Sequence, residues 1–334
     1  MSLTKSILEH PMLSQWIRFD ATGLIELQTG KVELGQGIST ALLQMACEEL
    51  DTRPDQLRLI AGDTAQGPNE WYTAGSLSIE VGGLSLRQVC AQARGLLCEA
   101  ATRAWQCELT AVSTHEAQVK GPAGLIATYV ELAAQIDWHQ AVDERWPLKE
   151  PAQFQWIGRS LPRQDLRAKL QGGAFIHDLQ LPHMWHARVL RGPSVLARLH
   201  PPPIDRLRAL NGVQQVVHSG NLVALLGPLE ADLDQAQDKA KAWLVWEDEP
   251  GVTMPQGPSA FLLQSPAQTE VVQSSATNTA ALSLTLQAEY SKPFIAHAAI
   301  GPSCALALRQ GESLTVWTHS QGVFQLKAAR HRAN

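Results

Sequence analysis

GKVELGQGISTALLQMACEELD, residues Gly30 to Asp51, is the stretch on which the reading of this chain turns. Gly35 and Gly37 bracket Gln36, and apolar residues at helical spacing follow at once: Leu42, Leu43, Met45, Ala46 and Leu50. The pattern predicts a helix over 38–50 that stops before Pro54. Glycine at both positions permits positive φ and lets a ligand approach the backbone without meeting a Cβ. A helix opening just behind them presents free N–H groups and a partial positive charge, which favour an anion. Gln36 adds an amide, and Ser39 and Thr40 add hydroxyls on the first turn. The spacing is neither G-x-G-x-x-G, since position 40 is Thr, nor a Walker loop, since no Gly-Lys-Ser/Thr follows. Two readings stay open on these residues alone: a tight turn with a polar helix cap, or one half of an anion site.

Outward from that stretch, residues 16–33 alternate apolar and polar around Asp20-Ala21-Thr22-Gly23, a hairpin signal. Residues 57–61 form a short apolar strand. The loop GDTAQGPNEWYTAGS follows, with Asp63-Thr64, Pro68-Asn69 and Thr73-Ala74-Gly75-Ser76, and a second helix runs over about 77–106, bent near Gly82-Gly83. Two hydroxyl-rich helix starts separated by one strand can converge on a diphosphate; two ordinarily capped helices explain the same residues. The order β-β-α-β-loop-α predicts α/β layering. Further on, a short helix is expected over 129–136, strands over 183–190, 212–217, 221–227 and 243–247, and a helix over 230–242. Residues 251–280, rich in Pro, Gly, Ser, Thr and Gln, are expected as loop, followed by strands at 282–290, 303–308 and 314–318 and a helix beginning at Gln321.

The 334 residues allow about two domains. A net charge of −5, from 27 Lys+Arg against 32 Asp+Glu, with no basic stripe, argues against a nucleic-acid footprint. No apolar run approaches the roughly 18 residues that span a bilayer. The N-terminus lacks a twin arginine, a continuous apolar region and a small-residue cleavage site, so a cytoplasmic location is expected. Five cysteines with no C-x-x-C pair argue against a disulfide framework, a zinc site or a cluster ligand set. His177, His183 and His186 read as turn and strand histidines rather than metal ligands, and His297, in an apolar run, as a core histidine. Gln321 stands where a strand gives way to a helix, a position where α/β folds bind ligands. No Ser-His-Asp order, P-loop or paired-carboxylate motif stands out.

At this point the residues suggest a family. Lys31-Val32-Glu33-Leu34-Gly35-Gln36-Gly37-Ile38-Ser39-Thr40, with Glu48-Glu49-Leu50, resembles the GQG segment of the xanthine dehydrogenase/aldehyde oxidase family, in the branch of isoquinoline 1-oxidoreductase and nicotinate dehydrogenase large subunits. A second block, Ile157-Gly158-Arg159-Ser160 with Pro162-Arg163, Asp165, Lys169 and Gly172, resembles the opening of that family's hammerhead domain. A third, Lys292 to Ala298 with Gly301-Pro302 and Val316 to Gln321, resembles the start of its molybdopterin-binding core.

The resemblance implies an α/β (α+β) fold in ordered parts: a molybdopterin-binding segment at 14–120, a linker at 121–155, an α/β hammerhead domain at 156–250, a linker at 251–280 and the incomplete start of the core at 281–334. It implies a molybdenum–molybdopterin cytosine dinucleotide cofactor, hydroxylation of an N-heteroaromatic or aldehyde carbon with water-derived oxygen, and a partner subunit carrying [2Fe–2S] clusters. Mapped onto this chain, Gly35, Gln36, Gly37, Thr40, Thr73, Ala74, Gly75, Ser76 and Gln321 would hold the cofactor. Three positions depart from the family. Trp71 stands where relatives carry a small residue, which is expected to crowd the second loop, and Gly301 stands where many carry glutamate. The chain also ends at Asn334, before the late glutamate that serves relatives as general base, so no catalytic residue is assigned and the chain alone is expected to lack activity. A truncated or interrupted product, or half of a split subunit completed by a second chain, fits that end. A non-catalytic remnant or assembly module, or a generic nucleotide-binding α/β protein, is the alternative.

Overall fold

The computed structural model describes residues 2–173, 175–249, 251, 254–272, 286 and 288–331. In chain order its elements begin with α1 (Lys5–Glu9), β1 (Ile17–Phe19), β2 (Ile25–Thr29), α2 (Ile38–Leu50) and β3 (Leu57–Ala61). A π-helical turn at Ser78–Gly83 runs into α3 (Leu84–Trp105), followed by β4 (Ser113–His115), β5 (Gln118–Lys120), β6 (Ile126–Thr128), α4 (Tyr129–Ala133) and α5 (Leu166–Gln171). Then come β7 (His186–Leu190), β8 (Arg198–Leu199), α6 (Ile204–Arg208), β9 (Gln215–Ser219), β10 (Leu222–Gly227), α7 (Glu230–Lys241) and β11 (Trp246–Glu247). The last are α8 (Pro258–Gln264), β12 (Ala305–Gln310), β13 (Ser313–Thr318) and α9 (Val323–His331).

Residues 1–179 and 301–334 form one compact unit and residues 180–300 a second. In the first, the β1–β2 hairpin turns on Asp20, whose carboxylate accepts from the N–H groups of Thr22 and Leu24 at 2.8 and 3.0 Å. Parallel β3 pairs with β2 from Ile25↔Leu57 to Thr29↔Ala61, so α2 is a βαβ crossover. The core between this sheet, α2 and α3 buries Trp16, Leu27, Leu43, Val89 and Leu97 completely. Gly83 lets the two helices close up, because a Cβ there would sit 2.7–2.8 Å from the Met45 thioether. The expected bend at Gly82-Gly83 is the passage from the π-helical turn into α3.

The second unit is a β7–β10–β9 antiparallel sheet with α7 packed on it, and its own core of Leu190, Val223, Leu225 and Leu233.

Several expectations are corrected. The stretch 121–155 holds the expected short helix, as Tyr129–Ala133, and in addition the strand Ile126–Thr128, because a strand of three residues is too short to show a period. Residues 156–179 lie with the first unit. The loop expected over 251–280 carries α8, started by Gly257 and Pro258. Residues 282–285 and 287 of the expected strand over 282–290 lie outside the described residues, and Leu286 and 288–290 carry no strand. His297 is exposed rather than in the core. Among the described residues no helix is long and apolar enough to cross a membrane, and no cluster of His, Cys, Asp and Glu is arranged to hold a metal ion.

Candidate functional site

The segment before α2 is a turn in which Gly35 and Gly37 take φ of +97° and +83°, the left-handed region that glycine enters without strain. Gln36 ties the turn to itself: its Oε1 accepts from the Leu34 N–H at 2.5 Å and its Nε2 donates to the Val32 carbonyl at 3.2 Å. Glycine offers no capping side chain, and Glu33 instead takes three of the donors here. Glu33 Oε1 accepts from the N–H groups of Gly35 and Gly37 at 2.8 and 2.9 Å, and Oε2 from Ser39 at 3.2 Å. Thr40 is buried, and its hydroxyl accepts from the Gln164 N–H at 3.1 Å.

The second loop is fixed from below and from the side. Thr73 is buried; its hydroxyl accepts from the Val32 N–H at 2.9 Å, and its own N–H donates to the Gln321 carbonyl at 2.6 Å. Gly75 and Ser76 both have φ above +60°, turning the chain sharply into the π-helical turn. Under the loop lies a buried pair. Glu70 Oε2 accepts from the Thr29 hydroxyl at 2.5 Å and the Gly30 N–H at 2.9 Å, while Oε1 has no partner among the described residues. Lys31 Nζ donates to the carbonyls of Glu70 and Tyr72 at 2.7 and 3.1 Å. Burial pushes the Glu70 carboxyl above the usual range, against the Thr29 and Gly30 hydrogen bonds, and pushes the Lys31 ammonium down.

Trp71 does not crowd this loop. Its backbone takes φ +60° and its indole N–H donates to Glu9 Oε2 at 3.1 Å, with Lys5 Nζ 4.9 Å from the ring centroid. The ring is thereby turned toward α1, and Trp71 is not among the residues lining the cleft. Gly301 has a local reason as well: a Cβ there would come within 2.8 Å of the His177 ring.

The two loops face each other across an open cleft of about 390 Å³. Of the residues singled out in the sequence, Gln36, Gly37, Thr73, Ala74 and Ser76 line it. Gly35, Thr40, Gly75 and Gln321 do not, although Gln321 is bonded to Thr73 from behind. Leu34 of the first loop, Ile38 and Ala41 of α2 and Ser78 and Ile79 of the π-helical turn complete the walls. Among the described residues no lining residue carries a titratable side chain, so these residues can bind and orient a ligand but cannot themselves take or give a proton. Glu33 and the Lys31–Glu70 pair were missed in the sequence; the one local signal is an acid closely preceding the Gly-x-Gly turn.

A family model described as molybdopterin cofactor-binding domain matches residues 2–171, which contain both loops and all of α2 and α3. The chain is 29% identical to a nicotinate dehydrogenase polypeptide of Pseudomonas putida, over 95% of this chain and 28% of that protein. It is 29% identical to the beta polypeptide of isoquinoline 1-oxidoreductase of Brevundimonas diminuta, over 64% of this chain and 32% of that protein. It therefore spans about a third or less of the length of these curated relatives. Among solved structures, a Cu,Mo-CO dehydrogenase is similar over 35% of this chain and 15% of that one, at 22% identity and a TM-score of 0.32. On the match over residues 2–171, this chain belongs to the molybdopterin cofactor-binding domain family, with relatives among the oxidoreductases of the xanthine dehydrogenase/aldehyde oxidase group.

Proposed function

We propose that this chain supplies one wall of a molybdenum–molybdopterin site in the large subunit of a molybdenum hydroxylase. The observation that carries the reading is the meeting of the Gly35–Gly37 turn and the Thr73–Ser76 loop on one cleft, inside the region matched by the cofactor-binding family. The donor set fits such a group on one side: Thr73, Ser76 and Ser78 are hydroxyl-bearing, and the π-helical turn has no side-chain cap on its first amides. Ile38, Ala41 and Ile79 give a flat ring system an apolar bed. When bound, the cofactor supplies the two-electron oxidation of a substrate carbon that gains oxygen from water. The residues of this chain would hold and orient it.

The finer reading adds a cytosine dinucleotide form of the cofactor, an N-heteroaromatic or aldehyde substrate, and a [2Fe–2S] partner subunit that removes electrons. With no titratable group among the described lining residues, the general base is proposed to come from sequence outside them, on the same subunit or on a second chain. An open cleft of this kind retains a ligand poorly. The chain purified alone from a host that makes the cofactor is therefore expected to carry far less than one molybdenum per chain and to show no dehydrogenase activity. Co-production with the sequence that completes its relatives should bring molybdenum to one per complex; stoichiometric molybdenum on the chain alone would refute the single-wall reading.

A second reading, a binding or assembly module without chemistry of its own, is favoured by one observation. Leu34, Trp71, Tyr72, Leu77 and Ile79 are all 43–51% exposed beside the loops, as at a protein contact. Complex formation with neither molybdenum nor pterin in it would select that reading.

A further inference from the structure

The structure assigns Glu33 as the internal anion of the Gly35–Gly37 turn, so that turn is a preformed wall of the cleft and its amides are not where the phosphate of a ligand binds. Three backbone donors that the turn and the first turn of α2 would offer to an external anion, those of Gly35, Gly37 and Ser39, converge on its two carboxylate oxygens at 2.8, 2.9 and 3.2 Å. A nest of amides of this kind holds one anion at a time, and this one holds the chain's own. The carboxylate is held from the other side too. Arg163 donates from Nη1 to the Gly35 carbonyl at 2.8 Å and lies 3.6 Å from Glu33 Oε1. Asp165 in turn grips Arg163 at 2.6 and 3.0 Å, and Lys169 grips Asp165 at 2.5 Å. Charges alternate along Lys169, Asp165, Arg163 and Glu33, so the row ends on the turn with no surplus positive charge to attract a phosphate.

Two consequences follow for a ligand in the cleft, resting on the cofactor reading given above. The turn keeps its shape without ligand, because Glu33 supplies in advance the contacts an anion would otherwise make. The anionic part of the ligand is directed to the opposite wall, toward Ser76 and Ser78, while the Gly35–Gly37 side meets its uncharged part. Glu33 is a positioning residue: it shapes the backbone that faces the ligand and does not touch the ligand.

The test uses the full, isotope-labelled chain without cofactor and inorganic pyrophosphate as probe, so it can fail while the cofactor reading stands. Amide resonances of Gly35, Gly37 and Ser39 in the unaltered chain are expected not to shift with millimolar pyrophosphate; a saturable shift of all three overturns the inference. In Glu33→Ala the same amides are expected to exchange with solvent at least about tenfold faster. Acetate, which can enter the vacated nest, should slow them again. Unchanged exchange, or faster exchange that acetate does not slow, also overturns it. If Glu33→Ala does not fold, Glu33→Gln serves: it keeps one acceptor oxygen, so at least one of the three amides should lose protection while the rest of α2 does not. Full protection of all three in Glu33→Gln contradicts the assignment.

Discussion

Glu70 is 2% exposed and has one carboxylate oxygen without a partner among the described residues, directly under the loop that carries Thr73 and Ser76. Because burial raises its pKa above the ordinary glutamate value of 4.5, the folded chain binds this proton more tightly than the unfolded one. The stabilising contribution is complete below that ordinary value and is lost as pH rises through the raised one. Glu70→Gln keeps an acceptor for Thr29 and Gly30 and cannot ionise. Its stability relative to the unaltered chain should therefore improve steadily as pH rises above about 4.5, read from denaturant midpoints between pH 4.5 and 8. A constant difference across that range would contradict the raised pKa. At this scale the Gly35–Gly37 turn was legible, since paired glycines before a helical period have few other uses. The buried pair was not: Lys31 and Glu70 are 39 positions apart, and only the tertiary fold makes them neighbours. Trp71 misled because size alone does not say where a ring points; its φ of +60° and the Glu9 acceptor turn it toward α1.

Helix α2 shows how one element can serve two ends of a structure. Its first turn shapes the cleft; its last turn, Glu48-Glu49-Leu50 with Asp51, holds the chain that follows α4. Glu48 is fully buried and accepts from three successive N–H groups, those of Gln155, Trp156 and Ile157, at 2.7–3.0 Å. Glu49 accepts from Arg87 at 2.7 and 2.8 Å, and Asp51 pairs with Lys149. Burial pushes Glu49 up, and the Arg87 guanidinium pulls it back toward ionisation. Glu48→Gln keeps one oxygen able to accept from all three but removes the charge and turns an NH₂ toward the Gln155 N–H and Lys149, costing about 1–3 kcal/mol. The loss should appear in the denaturant midpoint and as protease cleavage within 149–159; a change under about 0.5 kcal/mol would show that the nest does not depend on the charge. The hairpin, α2 and β3 were legible as elements because each satisfies one clear period. The sheet of β4, β5 and β6 was not, since strands of three residues such as Ser113–His115 give alternation nothing to repeat over.

For the molecule as a whole, two separate hydrophobic clusters correspond to the two units, one around Trp16 and Leu43 and one around Leu225 and Leu233. The α/β layering was legible in the order of periods, and the family in three ordered blocks of residues. The limit of the first unit was not, because the Ile157–Asp165 block looks like the opening of a new domain while Glu48, Gln44 and Thr40 bind its backbone to α2. Among the described residues the cleft, legible as two loops, holds hydroxyls, the Gln36 amide and apolar carbons but no titratable side chain, which suits a surface that holds a cofactor while its chemistry is completed elsewhere. The measurement that bears most directly on this is the molybdenum and pterin content of the completed complex with and without Ala74→Trp, a substitution at an exposed lining residue that fills the cleft and leaves the buried core untouched. A cofactor seated in this cleft predicts about one molybdenum per complex for the unaltered chain and at least a tenfold loss for Ala74→Trp, with the thermal midpoint within a few degrees. Equal molybdenum and pterin in both complexes would place the cofactor somewhere other than this cleft.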